Sequence, residues 1–358
     1  MRILFLNQYF PPDPAPTGIL FRELADELVR AGHTVDFVDA AQDYRGGQQK
    51  GGRMRRELAA LRRMMQAGKA SPRADVVISG SSPPCLAIVA DRVARKHRAR
   101  HFHWAMDVYP EIAAVLGEIR TGSLVARITR CLMGGAYRRC ARVVALDEDM
   151  AAVLKPYRIE PAIIRPWVFR NIVEQPLPAV SPEEPWTWIY SGNLGRAHEW
   201  ETLLRAQQIL EQRGADARLL FQGGGPSWPL AQARAAELHL RNVEWREYVP
   251  EAELRSALLR GQVLTATQRP EVRGLLWPSK LALLRSLPRP IVFVGPTDGA
   301  IAGELRAFLH AAMFAPGDAS GLADWLQTRR GGGPMGQPVD PAAERTSALT
   351  EWVKLLGA

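Results

Sequence analysis

Only three cysteines occur in the 358-residue chain, Cys85, Cys131 and Cys140, and no two of them form a CxxC pair. That excludes a disulfide framework and a thiolate zinc site, and it fits a reducing compartment. No run of about 18 apolar residues appears, so no segment reads as a membrane span. The apolar stretch of MRILFLNQYFPPD is too short for a signal peptide. The expected location is therefore the cytoplasm. A peripheral position on the inner membrane face stays open, because basic amphipathic surface suffices for one. A complete GxGxxG is missing too: the residue three after Gly225 is Trp228, so dinucleotide binding draws little support. No solenoid-length repeat is present.

Lys and Arg total 46 against 37 Asp and Glu, a formal net charge of +9. This points to an anionic partner, which charge alone does not choose. Nucleic acid is not expected, because no recognition module or interleaved aromatic platform is visible. Hydrophobic residues at 47% and charged residues at 23% suit a globular protein with substantial cores. At roughly 150 residues per domain the length suggests two.

Strand and helix patterns alternate. RILFL (2–6), TVDFV (34–38), DVVIS (75–79), RHFHW (100–104) and RVVAL (142–146) read as strands, separated by helices near 17–31, 84–97 and 123–138. After the proline-bearing stretch NIVEQPLPAVSPEEP a second series follows: WTWIY, ARLLF, NVEWRE, QVLTA and PIVFV, again with helices between. The expectation is an α/β protein of two Rossmann-like doubly wound domains, residues 1–170 and 186–341, joined by a linker at 171–185. A last helix within 342–358 is expected to pack back on the first domain. Ligands of such folds sit beyond the carboxyl ends of the strands, so the loops there carry most weight, with the gap between domains as the expected active site. RGGGPMGQP near the end reads as a flexible connector.

Three loops of the second series stand out. SGNLGRAHEWETLL carries Gly192, Asn193 and Gly195 into a helix start, with Arg196 at its mouth. A plain strand-to-helix turn is the competing reading. FQGGGP offers Gly223, Gly224 and Gly225 for close backbone approach. TQRPEVRGLLWPSKLALL (267–284) gathers a carboxylate, Gly274 and a Pro278-Ser279-Lys280 helix start; there the amides, a hydroxyl and an ammonium would meet a phosphorylated ligand. An ordinary capped helix is the alternative. In the first half, NQYFPPDPAPTG ends in Thr17 and Gly18 at a helix start and would approach a diphosphate.

These strings, with NVEWREYVPEAEL, PIVFVGPTDGAIAGEL, AGHTVDFV, SGSSPP and HWAMDVYPEIAAVLG, resemble family-4 glycosyltransferases over nearly the whole chain, closest to the bacterial exopolysaccharide, O-antigen and colanic-acid branch. The resemblance implies the GT-B fold, two such domains facing across a cleft. It implies a nucleotide-sugar donor, with a UDP-sugar favoured, and a retaining transfer to a sugar, lipid-linked or other hydroxyl acceptor. It also implies a hexosyl- or N-acetylhexosaminyltransferase, with no metal cofactor, that serves cell-surface polysaccharide synthesis.

Residue by residue, Glu271 matches the first of the family's two acids and would contact the donor sugar. The second acid, which holds the ribose, falls at Ser279, so that contact departs from the pattern. Arg196 and Lys280 would neutralise the diphosphate, Gly274 and Leu281 would offer amides, Tyr248 and Val249 would border the base, and Gly18 would touch the donor. His103 and Asp107 would face the acceptor, with Asp107 orienting or deprotonating its hydroxyl. A core histidine and a buried hydrogen-bonded aspartate are the alternatives there. A nucleotide-sugar epimerase of the same fold, or a non-catalytic partner subunit, are the rival functions.

Two further features need weighing. The triplet DED at 147–149 looks like a metal motif, but between a strand and MAAVLK it reads better as an N-cap at Asp147. Residues 46–69 form a cationic amphipathic stretch, read as a lid or membrane-facing element or as a solvated helix. Arg127, Arg130, Arg138 and Arg139 add to that basic surface.

Overall fold

Alternating strands and helices build two six-stranded parallel sheets in the computed structural model, which describes residues 1–13, 15–40, 52–179, 181, 182, 184–308, 310–331 and 338–357. Two compact units divide the chain. The first holds Met1–Phe169, Gly274–Trp277 and Arg345–Ala358, and the second holds Arg170–Arg273 and Pro278–Glu344.

The strands of the first unit are β1 (Arg2–Leu6), β2 (Thr34–Val38), β3 (Val76–Ser79), β4 (Arg100–Trp104), β5 (Arg142–Ala145) and β6 (Ala162–Ile163). Its helices are α1 (Pro16–Arg30), α2 (Arg53–Ala70), α3 (Leu86–His97), α4 (Glu111–Val115), α5 (Leu124–Arg139) and α6 (Glu148–Leu154). The sheet order is β2-β1-β3-β4-β5-β6, all parallel. Right-handed crossovers then put α1 on one face and α2, α3 and α5 on the other. Pro16 opens α1 with φ preset for a helix. Ser123 caps α5 by accepting from the Ala126 amide at 3.2 Å, and Asp147 caps α6 by accepting from Met150 at 2.7 Å, so the first acid of DED is spent on the helix end.

The second unit runs α7 (Arg170–Val173), β7 (Trp186–Asn193), α8 (Glu201–Gln212), β8 (Ala217–Gly224), α9 (Trp228–Glu237), β9 (Val243–Arg246), α10 (Leu254–Arg260) and β10 (Val263–Thr267). It continues with α11 (Lys280–Arg285), β11 (Ile291–Val294), α12 (Ala300–Leu305), β12 (Ala311–Phe314) and α13 (Ala319–Arg330). The order is β12-β11-β10-β7-β8-β9, again parallel throughout. Its core interleaves Trp188, Tyr190, Leu219, Phe221 and Val292 with Leu203 and Leu322 from the helices. Phe221 stacks on Trp245 at 4.5 Å.

The last helix, α14 (Pro341–Gly357), contributes its residues from Arg345 onward to the first unit. Trp352 is fully buried and lies 4.9 Å from Trp104, and Arg345 pairs with Glu23 at 2.8 Å. Glu23 also accepts from the Trp167 indole at 2.9 Å, which closes an aromatic core on the α1 face. The connector RGGGPMGQP has residues 332–337 outside the described set, as are 46–51 of the basic stretch.

The pattern of strands matches the alternation expected, with two additions and one extension. β6 and β12 are short and half-buried, and neither PAIIRP nor HAAMFA shows a period of two. β7 and β8 each run three residues past WTWIY and ARLLF, because Gly192 pairs with Gly223 and Asn193 with Gly224.

Candidate functional site

Each sheet reverses its order at one point, between β1 and β3 in the first unit and between β7 and β10 in the second. The crevice at such a switch point, beyond the carboxyl ends of the strands, is where doubly wound sheets bind ligands.

At the switch point of the second unit stands Lys280, the first residue of α11. Its ammonium nitrogen lies 3.5 Å from the centroid of the Tyr190 ring, on β7, and it has no hydrogen-bond partner. Burial holds the amine well below its usual pKa. Gly192 lies against the Lys280 side chain, where a Cβ would make ordinary contact at 3.5 Å with Cε and Nζ. Gly192 and Gly223 have φ of 121° and 138°, and a Cβ on Gly223 would lie on the Gly192 carbonyl oxygen. Only glycine lets the two strand ends run this close. A Cβ on Gly224 would meet the Tyr248 ring at 3.1 Å, and one on Gly225 would strike the Asn193 side chain. The triple glycine thus lets β8 approach the Asn193 loop and the exposed Tyr248. Val249 beside it is half-buried.

His198, from the loop after β7, binds the Thr267 carbonyl at the end of β10 through Nδ1 at 2.9 Å. Burial first, and then nearby Lys280, lower its pKa to about 3, so the ring is neutral. This ties together the two strands that flank the switch point. Arg196 and Asn193 are exposed on the same loop. Glu271 is exposed too, 3.3 Å from the Arg269 guanidinium; its own backbone amide chiefly holds the carboxyl below its usual range, with Arg269 adding.

One expectation for this segment changes. The Leu281 amide donates to the Pro278 carbonyl at 2.9 Å, so it is not open to a ligand. Ser279 precedes α11 without a side-chain cap and is exposed. Gly274 belongs to the first unit: its φ is 70°, and a Cβ there would lie 2.6 Å from the Asp149 carbonyl at the start of α6. Its lack of a side chain serves that packing. The run 271–280 is therefore divided, with Gly274–Trp277 in one unit and Glu271 and Lys280 in the other.

In the first unit Asp107 follows β4 and is half-buried. Its amide donates to Ser81 Oγ at 3.0 Å, it forms an isolated antiparallel bridge with Leu276, and the next amide, of Val108, donates to Leu275. Burial pushes its carboxyl up to about 6. His103 is a different case. It is completely buried, Nδ1 lies 2.9 Å from Ser79 Oγ, the ring packs 5.3 Å from Tyr137, and burial lowers its pKa to about 3. Because β4 is covered on both faces, His103 lies in the interior beside Ser79, which also meets His101, and an acceptor would not touch it. Gly18 is buried in the first turn of α1, where a Cβ would stand 2.7 Å from the Tyr9 carbonyl; Thr17 beside it is half-buried.

Tyr190, His198 and Thr267 are the residues the sequence did not mark. Tyr190 sits at an alternate, inward position of WTWIY, and nothing local distinguishes it from a core tyrosine.

No family model matches the chain. A curated relative, the probable glycosyltransferase WbjE of Pseudomonas aeruginosa, is 26% identical over 238 residues, 62% of this chain. The match spans 58% of that protein's length. Among solved structures, the lipopolysaccharide outer core galactosyltransferase WaaB superposes with a TM-score of 0.63 at 14% identity, covering 99% of each chain. Anabaena Alr3699/HepE in complex with UDP gives 0.60 at 12% identity, covering 99% of this chain and 95% of that one. The Neisseria meningitidis UDP-GlcNAc 2-epimerase bound to UDP-GlcNAc gives 0.62 at 11% identity over the whole of both chains. The fold is GT-B, two Rossmann-like units, and the resemblance to glycosyltransferases agrees with the name of the curated relative.

Proposed function

We propose that the chain is a glycosyltransferase that moves a hexosyl or N-acetylhexosaminyl group from a nucleotide diphosphate, UDP favoured, to an acceptor hydroxyl in cell-surface polysaccharide synthesis. The observation that carries this is the Lys280 amine, buried over Tyr190 without a partner at the switch point of the second sheet. A buried amine lacking an anion is costly, and a diphosphate would supply the missing charge. The exposed Arg196 and Glu271 at the same strand ends suit a diphosphate and a donor sugar, and Tyr248 a base. UDP in the HepE complex supports the choice of nucleotide.

In the proposed reaction the bond from the anomeric carbon to the phosphate oxygen breaks and one to the acceptor oxygen forms. The leaving diphosphate is stabilised by Lys280 and Arg196. Asp107 orients the acceptor hydroxyl. Transfer on the same face, with the departing phosphate taking the acceptor proton, gives retention; NMR of the product anomer showing inversion would remove that step. A lipid-linked or sugar acceptor and a peripheral membrane position belong to the same reading. No helix among the described residues is long and apolar enough to cross a membrane.

Thermal-shift measurements with UDP-, GDP- and dTDP-sugars test the central claim. A stabilising UDP-sugar is expected, and no shift with any of them at millimolar concentration would overturn it. The epimerase of like fold motivates one rival. Incubating the donor alone separates the two, since an epimerase interconverts it without acceptor.

A further inference from the structure

The cationic surplus of this chain is concentrated on one layer of the first unit. Helix α2 carries six Lys and Arg, α3 three and α5 four, against two acids in all, Glu57 and Asp91. Neither acid is exposed: Glu57 is half-buried, and Asp91 is buried and paired with Arg139 and Arg95. These three helices cover the same face of the sheet, with α3 packed against both α2 and α5. Their charge alone exceeds the +9 of the whole chain, so the remainder is close to neutral. Arg62, Arg63 and Lys69 on α2, Arg92 and Lys96 on α3, and Arg127 on α5 are all exposed.

Helix α5 adds something that cations do not explain. Its inner face is Ala126, Met133, Ala136 and Tyr137, all buried. A solvated helix would place polar residues opposite, but here Leu124, Ile128, Cys131 and Gly135 follow one another at the spacing of a single outer stripe. Leu124 is 70% exposed and Ile128 50%, with Val125 and Leu132 on the shoulder at 60% and 47%. Leaving large aliphatic side chains side by side in water is unfavourable, and such a patch marks an interaction surface. Exposed Leu58 and Met54 continue the theme on the outer side of α2, among its arginines.

We propose that this layer docks on an anionic phospholipid bilayer, with the outer stripe of α5 inserted among the acyl chains and the cations of α2 and α3 resting on the headgroups. The combination selects the partner. Apolar insertion and a basic patch are the two signals that together give stable peripheral attachment, where either alone is marginal. Nucleic acid would use the cations but would ask for aromatic stacking surfaces, and the aromatic residue of these helices, Tyr137, is buried. An acidic protein would pair the arginines but would leave the aliphatic stripe without a reason. The proposal deepens the peripheral membrane position of the proposed function and does not rest on the donor candidates Lys280, Arg196 and Glu271, which lie in the other unit.

The test uses the full chain and unilamellar vesicles of phosphatidylcholine, with and without phosphatidylglycerol. Co-sedimentation is expected with phosphatidylglycerol vesicles and not with phosphatidylcholine alone, weakening as salt rises. Leu124→Gln with Ile128→Gln, both exposed, should leave the thermal midpoint and UDP-sugar binding unchanged while weakening vesicle binding about tenfold or more. Cys131 supplies a built-in reporter: it is exposed on the stripe, whereas burial raises the thiol pKa of Cys85 to about 11 and that of Cys140 higher still, which slows their reaction. A polarity-sensitive dye on Cys131 should shift to the blue with phosphatidylglycerol vesicles. Absence of binding at low salt would overturn the proposal. So would binding that the double substitution does not weaken, or a dye that never leaves water while the protein binds oligonucleotides equally well with and without the substitutions.

Discussion

The ammonium of Lys280 lies 3.5 Å from the centre of the Tyr190 ring, buried and with no other partner. A cation over an aromatic face recovers only part of the solvation it loses. Burial therefore favours the neutral amine in the free protein, and an arriving anion would restore the charge.

Lys280→Met is expected to separate activity from stability. Transferase turnover should fall about 10²–10³-fold, because the leaving diphosphate loses a buried charge. The thermal midpoint should rise, since an apolar side chain of similar length replaces an unpartnered polar one, a gain of about 1 kcal/mol. Steady-state kinetics beside a melting curve gives both; unchanged turnover would remove Lys280 from the site.

Donor binding should take up a proton. The free amine is held well below its usual pKa by burial, and a bound diphosphate raises it again. Affinity should fall as pH rises through the lowered value. Calorimetry in two buffers of different ionisation enthalpy should detect the uptake in the native chain and not in Lys280→Met. The same shift makes folding more favourable as pH rises between the lowered pKa and about 10.4, because there the unfolded chain binds the proton and the folded one does not.

Asp107→Asn should spare donor binding and lower transfer about a hundredfold or more. The acid limb of the rate profile, set near pH 6 by burial of this carboxyl, should disappear with it. Stability provides an independent reading. Between about pH 4 and 6 the folded state holds the proton and the unfolded state does not, so this group's contribution is full below that window and lost as pH rises through it. The substitution should flatten that decline in a series of melts.

Gly223→Ala should be poorly tolerated. At φ 138° a side chain is strained, and its Cβ would lie on the Gly192 carbonyl. A loss of about 2 kcal/mol or more is expected in chemical denaturation. A neutral result would mean that β7 and β8 need not run so closely together.

Ser279→Glu restores the acid that the family resemblance expects for the ribose. Ser279 is exposed and caps nothing, so the fold should be unaffected. A charged hydrogen bond to the ribose should tighten UDP binding about tenfold. If affinity stays the same or falls, this chain holds the ribose elsewhere.

The sequence by itself determined the alternation of strands and helices in both units, apart from the short β6 and β12, because a period of two or of 3.6 and a turn residue are local properties. It also marked the strand ends, since glycines and helix-start residues announce them, and the candidate residues Lys280, Arg196, Glu271 and Asp107 all follow such ends. Tertiary structure decided what those residues meet. Nothing near Lys280 says that Tyr190, from a distant strand, will lie beneath its amine; parallel pairing of β7 with β10 brings their ends together. The local string 271–280 gives no sign that Gly274–Trp277 groups with Asp107, or that Pro278 takes up the Leu281 amide. His103 alternates like its neighbours, and only the layers closing over β4 made it interior. The apolar stripe of α5 has the same spacing as a buried face. Which side of a helix meets the sheet is fixed by the crossover and by the neighbours it packs on, and here that put leucine and isoleucine outward.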